Sequence, residues 1–372
     1  MSQDGQAAAG GPRVRKGACL VLFAFDVAPY IDLVECERRM IAAKHRQKIE
    51  KRRRALEYFE YRPAPLAITL EAEPIAVGDH LSLASVDLVI YDFGAITVTH
   101  TIPFQGSLAE LASLADDVFD CDELTAQARN HVERTIGVLP ADEGGFYIAD
   151  IVEDYLVFHV EEFDDSRTAE VICHDHATEI AQLLRAEPGS LSKQEVADAV
   201  AQRIAFSPSD LAVLDWNAAL IYGREVEDLR TVIEFANVQL LEMRFLDRQL
   251  DQALERSYEI VSRRRWRWLS TLRFYRRDVR QIARLQVDGA ILFERVSNAL
   301  KVFGEEYLSR VYELTAERLR LAAWDASTIR KLGTIDSIYS KLTDEAAVNR
   351  LEVLEWIIVF LIAISIVLSF VA

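Results

Sequence analysis

Hydrophobic positions are distributed in three ways along these 372 residues. In the first part, short apolar runs alternate with amphipathic stretches. Ala18 to Phe25 is continuously apolar and reads as a buried strand. Asp32 to Phe59 reads as one long helix ended by Pro63 and Pro65, and Leu66 to Leu70 as a strand. Around Gly94 the halves Leu88-Val89-Ile90-Tyr91 and Ala95-Ile96-Thr97-Val98 are rich in β-branched residues. They predict two strands, with the glycine supplying a bend or bulge. Leu108 to Phe119 and Glu123 to Leu139 predict helices, the second capped near Asp122. Phe146 to Val160 predicts a strand, followed by the acidic turn Glu161-Glu162-Phe163-Asp164-Asp165. Thr168 to Ala186 predicts a helix stopped by Pro188-Gly189, and Leu211 to Ile221 one further strand before Gly223. Strands and helices that alternate without a regular repeat indicate an α+β class rather than a doubly wound sheet.

From Arg224 onward no strong strand signal remains. Val226, Leu229, Ile233, Ala236, Leu240 and Met243 keep a three-four spacing, read as the seam of a coiled coil or helical hairpin. Leu246, Leu250, Leu254, Tyr258 and Val261 continue it after a slip in the repeat. Helices follow over residues 272–303 and 305–329, Gly333 loosens the next junction, and Leu332, Ile335, Ile338 and Leu342 form a last stripe. Such stripes are core or partner faces, and they argue for self-association into a homo-oligomer.

The third pattern is the run from Ile357 to Ala372, which contains no charge, proline or glycine. About 16 residues at ~1.5 Å each make a helix of ~24 Å, slightly short of a ~30 Å hydrocarbon core. Glu352 and Glu355 bound the run, and Trp356 stands where interfacial aromatics sit. Trp356, Ile357, Ile358, Val359, Phe360, Leu361 and Ile362 therefore open an expected C-terminal transmembrane anchor, with the lipid bilayer as partner. The expected organisation is a flexible basic arm over 1–16 and an acidic α+β domain over 17–223. A long-helix stalk over 224–355 and the anchor over 356–372 complete it.

Charge sharpens this picture. The net charge of −17 divides into about +4 over residues 1–60, about −23 over 61–230 and about +2 over 231–372. An acidic middle excludes a protein that coats nucleic acid through a continuous basic face. In the predicted helix after Asp32, the basic residues Arg38, Arg39, Lys44, Arg46, Lys48, Lys51, Arg52, Arg53 and Arg54 read first as a solvated face and second as an anion-binding arm. The cluster Arg263, Arg264, Arg265, Trp266, Arg267 and Trp268, continued by Arg273, Arg276, Arg277 and Arg280, is the candidate contact for anionic lipid or RNA. Guanidinium groups beside indoles suit phosphate head groups or stacked single-stranded bases. A structural helix turn is the competing reading. Cys19, Cys36, Cys121 and Cys173 lie far apart, which suits reduced thiols. Residues 1–17 carry neither a secretory signal nor a transit peptide, so the body is expected on the synthesis side of the membrane.

No Walker loop, GxGxxG, HExxH, GxSxG or CxxC occurs, so the readily recognised enzyme classes find no support. Asp92-Phe93-Gly94 spells a kinase triplet without the motifs that it serves. Cys173-His174-Asp175-His176 packs four ligand types, but helix neighbours point about 100° apart and cannot close on one ion. The acidic group Glu161, Glu162, Asp164 and Asp165 reads as a solvated turn before a cation site. No catalytic residue, metal site or cofactor is assigned.

Arg350-Leu351-Glu352-Val353-Leu354-Glu355-Trp356-Ile357-Ile358-Val359 resembles the opening of the terminal membrane helix in the required-for-meiotic-nuclear-division (RMND/RMD) family. Leu292-Phe293-Glu294-Arg295-Val296, Glu306-Tyr307-Leu308-Ser309-Arg310-Val311-Tyr312 and the strand around Tyr91-Asp92-Phe93-Gly94 resemble that family too. Ile96-Thr97-Val98-Thr99-His100 departs from its more apolar following strand. The resemblance implies a single-pass protein of a bacterial inner membrane facing the cytoplasm, equivalent to the matrix face in mitochondria. It also implies support of translation by holding ribosomes near the membrane, and it carries over no catalytic residues. The expectation is a non-enzymatic, membrane-tethered oligomeric scaffold. The alternatives are a hydrolase or nucleotide-dependent enzyme with a site in the α+β domain, and a channel, which the single uncharged segment disfavours.

Overall fold

The computed structural model describes residues 12–43, 64–139, 145–164, 168–224, 226–263, 306–338, 340–341, 355, 358–359 and 361–362. The chain divides into two compact units. One comprises Met1–Phe245 and Ile291–Trp324, the other Leu246–Ala290 and Asp325–Ala372. The fold is mixed α/β, with an N-terminal sheet domain followed by helices.

The sheet unit is organised on β1 (Arg13–Asp26), the strand expected from the apolar run at 18–25. Cys19, Val21, Phe23 and Phe25 enter one core, while Leu20, Leu22 and Ala24 enter another. The run is unbroken because both faces of this strand are covered, which removes the usual polar alternation. β1 lies antiparallel between β6 (Ala95–Ser107) and β7 (Val152–Phe163). The other strands of this sheet are β2 (Leu66–Glu71), β5 (Ser85–Ile90), β8 (Arg203–Ile204), β9 (Leu211–Leu214) and β10 (Ala218–Tyr222). Their order is β2-β5-β6-β1-β7-β10-β9-β8, and β7 with β10 is a parallel pair. β3 (Ala76–Val77) and β4 (His80–Leu81) form a separate small ladder.

One core joins the sheet to α1 (Leu33–Ala43), α2 (Leu108–Phe119), α3 (Asp122–Ile136), α4 (Ala169–Asp175) and α5 (Ala177–Arg185). The short α6 (Lys193–Ala199) lies beside α5. The other core joins the sheet to the first part of α7 (Glu227–Arg263) and to α8 (Glu306–Arg318). The helices start where local chemistry satisfies their free N–H groups. Asp32 Oδ1 accepts from Val34 N at 3.0 Å and Glu35 N at 3.1 Å. Ser107 and Glu110 form a reciprocal capping box on α2. Gly94, at φ +101°, makes the turn between β5 and β6, and its carbonyl accepts from Val27 N at 2.9 Å.

Several expectations change. Arg13, Arg15 and Lys16 belong to β1 rather than to a flexible arm, since Glu161 and Glu162 on the neighbouring strand pair with Lys16 and Arg15. Residues 1–11 of that arm, and residues 44–59 of the long basic helix, lie outside the described residues. Asp122 is the first helical residue of α3, and Cys121 takes the cap position. The helix expected over 168–186 breaks at His176, and the strand expected over 211–221 is a hairpin turning at Asp215-Trp216-Asn217. Of the expected seam, Val226, Leu229, Ile233, Ala236 and Met243 are buried and Leu240 half-buried in a core that also holds sheet and α8 residues of the same chain, so this face is not available to a second copy.

The second unit contains the rest of α7 and α9 (residues 321–338) from Asp325 on. Leu246, Leu250, Ala253 and Ser257 are its buried positions on α7. Tyr258, expected in the stripe, is exposed because the buried steps are four, three and four rather than a constant four. On α9, Ile335 and Thr328 are buried and Leu332 and Ile338 half-buried. Gly333 is an exposed helical residue and no junction, whereas the helix break falls at Leu319-Arg320, where Arg320 adopts φ +55°. Lys331 Nζ lies 2.7 Å from Asp247 Oδ1 and 2.6 Å from Asp251 Oδ1.

Candidate functional site

The layer between the sheet and α7 is unusually polar for a core, and the sequence of β6 explains why. Thr97 and Thr99 suit a strand but carry hydroxyls that need partners once buried. Thr97 Oγ1 donates to Glu234 Oε1, and Tyr91 Oη donates to the same oxygen at 3.5 Å. Arg230 balances this buried carboxylate, its Nε 4.0 Å from Glu234 Oε2 and its Nη1 3.7 Å from Asp87 Oδ2. Burial raises the Glu234 carboxyl, against the opposing pull of Arg230 and Thr97.

Further along α7 the same face meets the end of β1. The segment containing Tyr147 runs beside β1, with Tyr147 N donating to Val27 O and Ala149 N to Asp26 O, both at 2.9 Å. This places Tyr147 Oη 3.1 Å from each carboxylate oxygen of Asp26. The Tyr147 ring stacks on Phe245 of α7, with centroids 6.1 Å apart. Asp26 is 2% exposed and Glu242 3%, and Glu242 Oε1 has no hydrogen-bond partner. Burial lifts Asp26 to about 7 although the Tyr147 hydroxyl and the Ala28 N–H favour its charged form. Burial and then the charge of Asp26 lift Glu242 far above the usual carboxylate range. Glu153, also raised by burial, is held by Arg244 Nη1 at 2.6 and 2.7 Å.

A third cluster joins helices from opposite sides of the sheet. Asp215, fully buried in the β9–β10 turn, has Arg185 Nε 2.7 Å from Oδ2 and receives Arg318 Nε at 2.6 Å on Oδ1. Asp198 receives both guanidinium groups, at 2.8 Å from Arg185 and 2.7 Å from Arg318. Tyr155 Oη donates to the Asp215 carbonyl at 2.8 Å. Glu195 Oε2, 3.8 Å from Arg185 Nη2, adds a third carboxylate, so the two guanidinium groups are fully engaged within the clamp.

The expected site residues are placed unevenly. Arg264, Arg265, Trp266, Arg267 and Trp268 lie outside the described residues, as do Arg273, Arg276, Arg277 and Arg280, and Arg263 closes α7. Trp356, Ile357 and Phe360 also lie outside them. Ile358, Val359, Leu361 and Ile362 are helical, and each is more than half exposed. Among the described residues no helix is long and apolar enough to cross a membrane, so the transmembrane helix finds no support there. His174 pairs with Asp175 at 2.8 Å and His176 with Glu179 at 3.3 Å, so neighbouring carboxylates hold these rings. No group of three or more metal-ligating side chains is poised for an ion among the described residues. The sequence reading missed Asp26, Tyr147 and Glu242. One signal was present: Asp26 directly ends an apolar run, and Arg230, Glu234 and Glu242 interrupt the apolar face of one helix at multiples of four.

No solved structure matches the chain. A curated relative, Uncharacterized protein MJ0711 of Methanocaldococcus jannaschii, is 22% identical over 265 residues, covering 70% of this chain and 74% of that protein. The match to the family described as Uncharacterized protein MJ0711, N-terminal domain, spans residues 16–228, from within β1 to the first turn of α7. The chain belongs to that family, which is the part of the molecule that builds the sheet.

Proposed function

We propose that the protein is a non-enzymatic scaffold held at a membrane by its C-terminal run. The observation that carries this is the exposure of Ile358, Val359, Leu361 and Ile362 on a helix, at 53–59% each. Covering one such side chain completely is worth roughly 1.5–3 kcal/mol, so four half-exposed ones leave about 3–6 kcal/mol for a partner that covers them. The surrounding sequence selects hydrocarbon as that partner, because residues 357–372 carry no charge and Glu352, Glu355 and Trp356 mark an interface on one side. In this reading the run forms one membrane-spanning helix and the sheet domain is a head on the cytoplasmic side.

The burial of the most perturbed carboxyls favours a scaffold over an enzyme. Asp26 and Glu242, at 2% and 3% exposure, are withheld from a substrate. The RMND/RMD resemblance extends the proposal to a bacterial inner membrane and to recruitment of the ribosome, through residues 263–268 on RNA or on lipid phosphates. Self-association completes it, through surfaces other than the seam that α7 buries in its own chain.

Flotation with vesicles of neutral and anionic lipid tests the anchor. The intact chain should float with both, and a chain ending at Glu355 should remain at the bottom. Equal flotation of the two chains would remove the anchor. Changing Arg263, Arg264, Arg265 and Arg267 to Gln should weaken binding to anionic vesicles or to RNA, and unchanged binding to both would return the cluster to a structural role.

A further inference from the structure

We infer that β2 is a docking edge for a second copy of this chain, the two β2 strands pairing antiparallel about a two-fold axis at Ile68. Among the described residues β2 ends the sheet on its side, with β5 as its neighbour. The direction of its backbone groups follows from two hydrogen bonds. Ala72 N donates to Ala84 O at 3.1 Å, continuing the register of β2 on β5. Tyr91 N donates to Ala95 O at 2.9 Å, continuing the register of β5 on β6. Hydrogen-bonded and open pairs alternate along antiparallel strands, so both bonds give the same assignment. Leu66, Ile68 and Leu70 bond to β5, while Ala67 and Thr69 turn their N–H and C=O groups away from it.

This outer edge fits a copy of itself. Pro65 has no N–H and falls in the same outward set as Ala67 and Thr69, the side of an edge strand on which proline is tolerated. β2 keeps an unbroken register with β5 and carries no lysine, so it lacks the bulge or basic residue that usually blunts an edge. A two-fold axis at Ile68 sets Ala67 opposite Thr69 of the second copy, and each outward donor then meets an outward acceptor. The same axis brings the two Ile68 side chains together. It also sets Leu70, half-buried at the rim of the core, against Leu66 of the second copy. Thr69 Oγ1 keeps its bond to Asp87 Oδ1 at 2.7 Å, on the face away from that core. Glu71, the one charged residue of β2, falls at opposite ends of the ladder in the two copies, and the register asks nothing of it.

The inference rests on the self-association in the proposed function and does not need the anchor. A short ladder is a small interface, so the dimer should be reversible and concentration-dependent. Sedimentation of the intact chain in mild detergent, over a wide range of concentration, should show that equilibrium. Ala67→Pro removes an outward donor and no bond to β5. It should weaken the dimer at least about tenfold and leave the circular dichroism of the fold unchanged. Cysteine crosslinking keeps the test independent of that variant. Directly opposed residues lie about 5.5 Å apart, within reach of a disulfide, and diagonal ones about 7–8 Å, beyond it. A mixture of Ala67→Cys and Thr69→Cys chains should therefore crosslink under mild oxidation, while either chain alone should crosslink no more than the wild type. A wild type that stays monomeric throughout would overturn the inference, as would a dimer that survives Ala67→Pro without crosslinking in the mixture. A chain that crosslinks in the mixture but does not float with vesicles would remove the anchor and uphold the pairing.

Discussion

Replacing Arg318 by Met tests how the two helical layers are tied through the edge of the sheet. Asp215 is fully buried and takes its positive charge from Arg318 and Arg185. Removing Arg318 leaves that carboxylate with one guanidinium, which Asp198 also claims. Breaking a buried pair by deleting one partner costs about 3–5 kcal/mol, and the retained Arg185 places the expectation near the lower end, about 3 kcal/mol. Asp215→Asn should cost less, about 1–2 kcal/mol, because the amide oxygen still accepts and both arginines keep Asp198. The double variant should lose less than the sum of the two by about 1–2 kcal/mol, since the stranded charge is then absent. Urea denaturation followed by far-UV circular dichroism measures all four proteins, with the slope checked for constancy. A loss below about 1 kcal/mol for Arg318→Met, or strict additivity, would refute the clamp.

Gly94→Ala should destabilise the sheet unit by about 2–4 kcal/mol, read by the same denaturation. A Cβ built at Gly94 would lie 1.5 Å from the Ala28 carbonyl oxygen, on a residue already at φ +101°, and relief would disturb the bond from Val27 N. The stability of the wild type should fall as pH rises from about 4 to about 7 through the Asp26 contribution, because the fold binds that proton more tightly than the unfolded chain does. The contribution is complete below the ordinary value of 3.8 and lost above about 7, a gap worth at most about 4 kcal/mol. Asp26→Asn should flatten this slope, as read from denaturation midpoints across pH 4–8, and an unchanged slope would contradict it.

Much of the sheet was legible because its signals are local. The apolar run at 18–25, the two strands around Gly94 and the helix at 108–119 all appear where the pattern places them. Turns inside apolar stretches were not legible. Asp215-Trp216-Asn217 has neither glycine nor proline, so β9 and β10 merge into one strand in the pattern. The break at Leu319-Arg320 is equally unmarked. α6 was missed although Ser192 and Glu195 spell a cap signal, with Glu195 N donating to Ser192 Oγ at 3.2 Å. The stripe on α7 showed which face is apolar but not what covers it, and the sheet and α8 of the same chain share that core rather than a second copy. The buried carboxyls escaped for a related reason. A single Glu in an apolar stripe reads as solvated until the opposing Thr97, Tyr91 or Asp26 is known.

The C-terminal run decides whether the protein is a membrane scaffold at all. Membranes from cells expressing the intact chain, washed with alkaline carbonate and sedimented, give the most direct measurement. The account predicts that the protein stays in the membrane pellet and that a chain ending at Glu355 is released into the supernatant. Release of the intact chain by the same wash would contradict it.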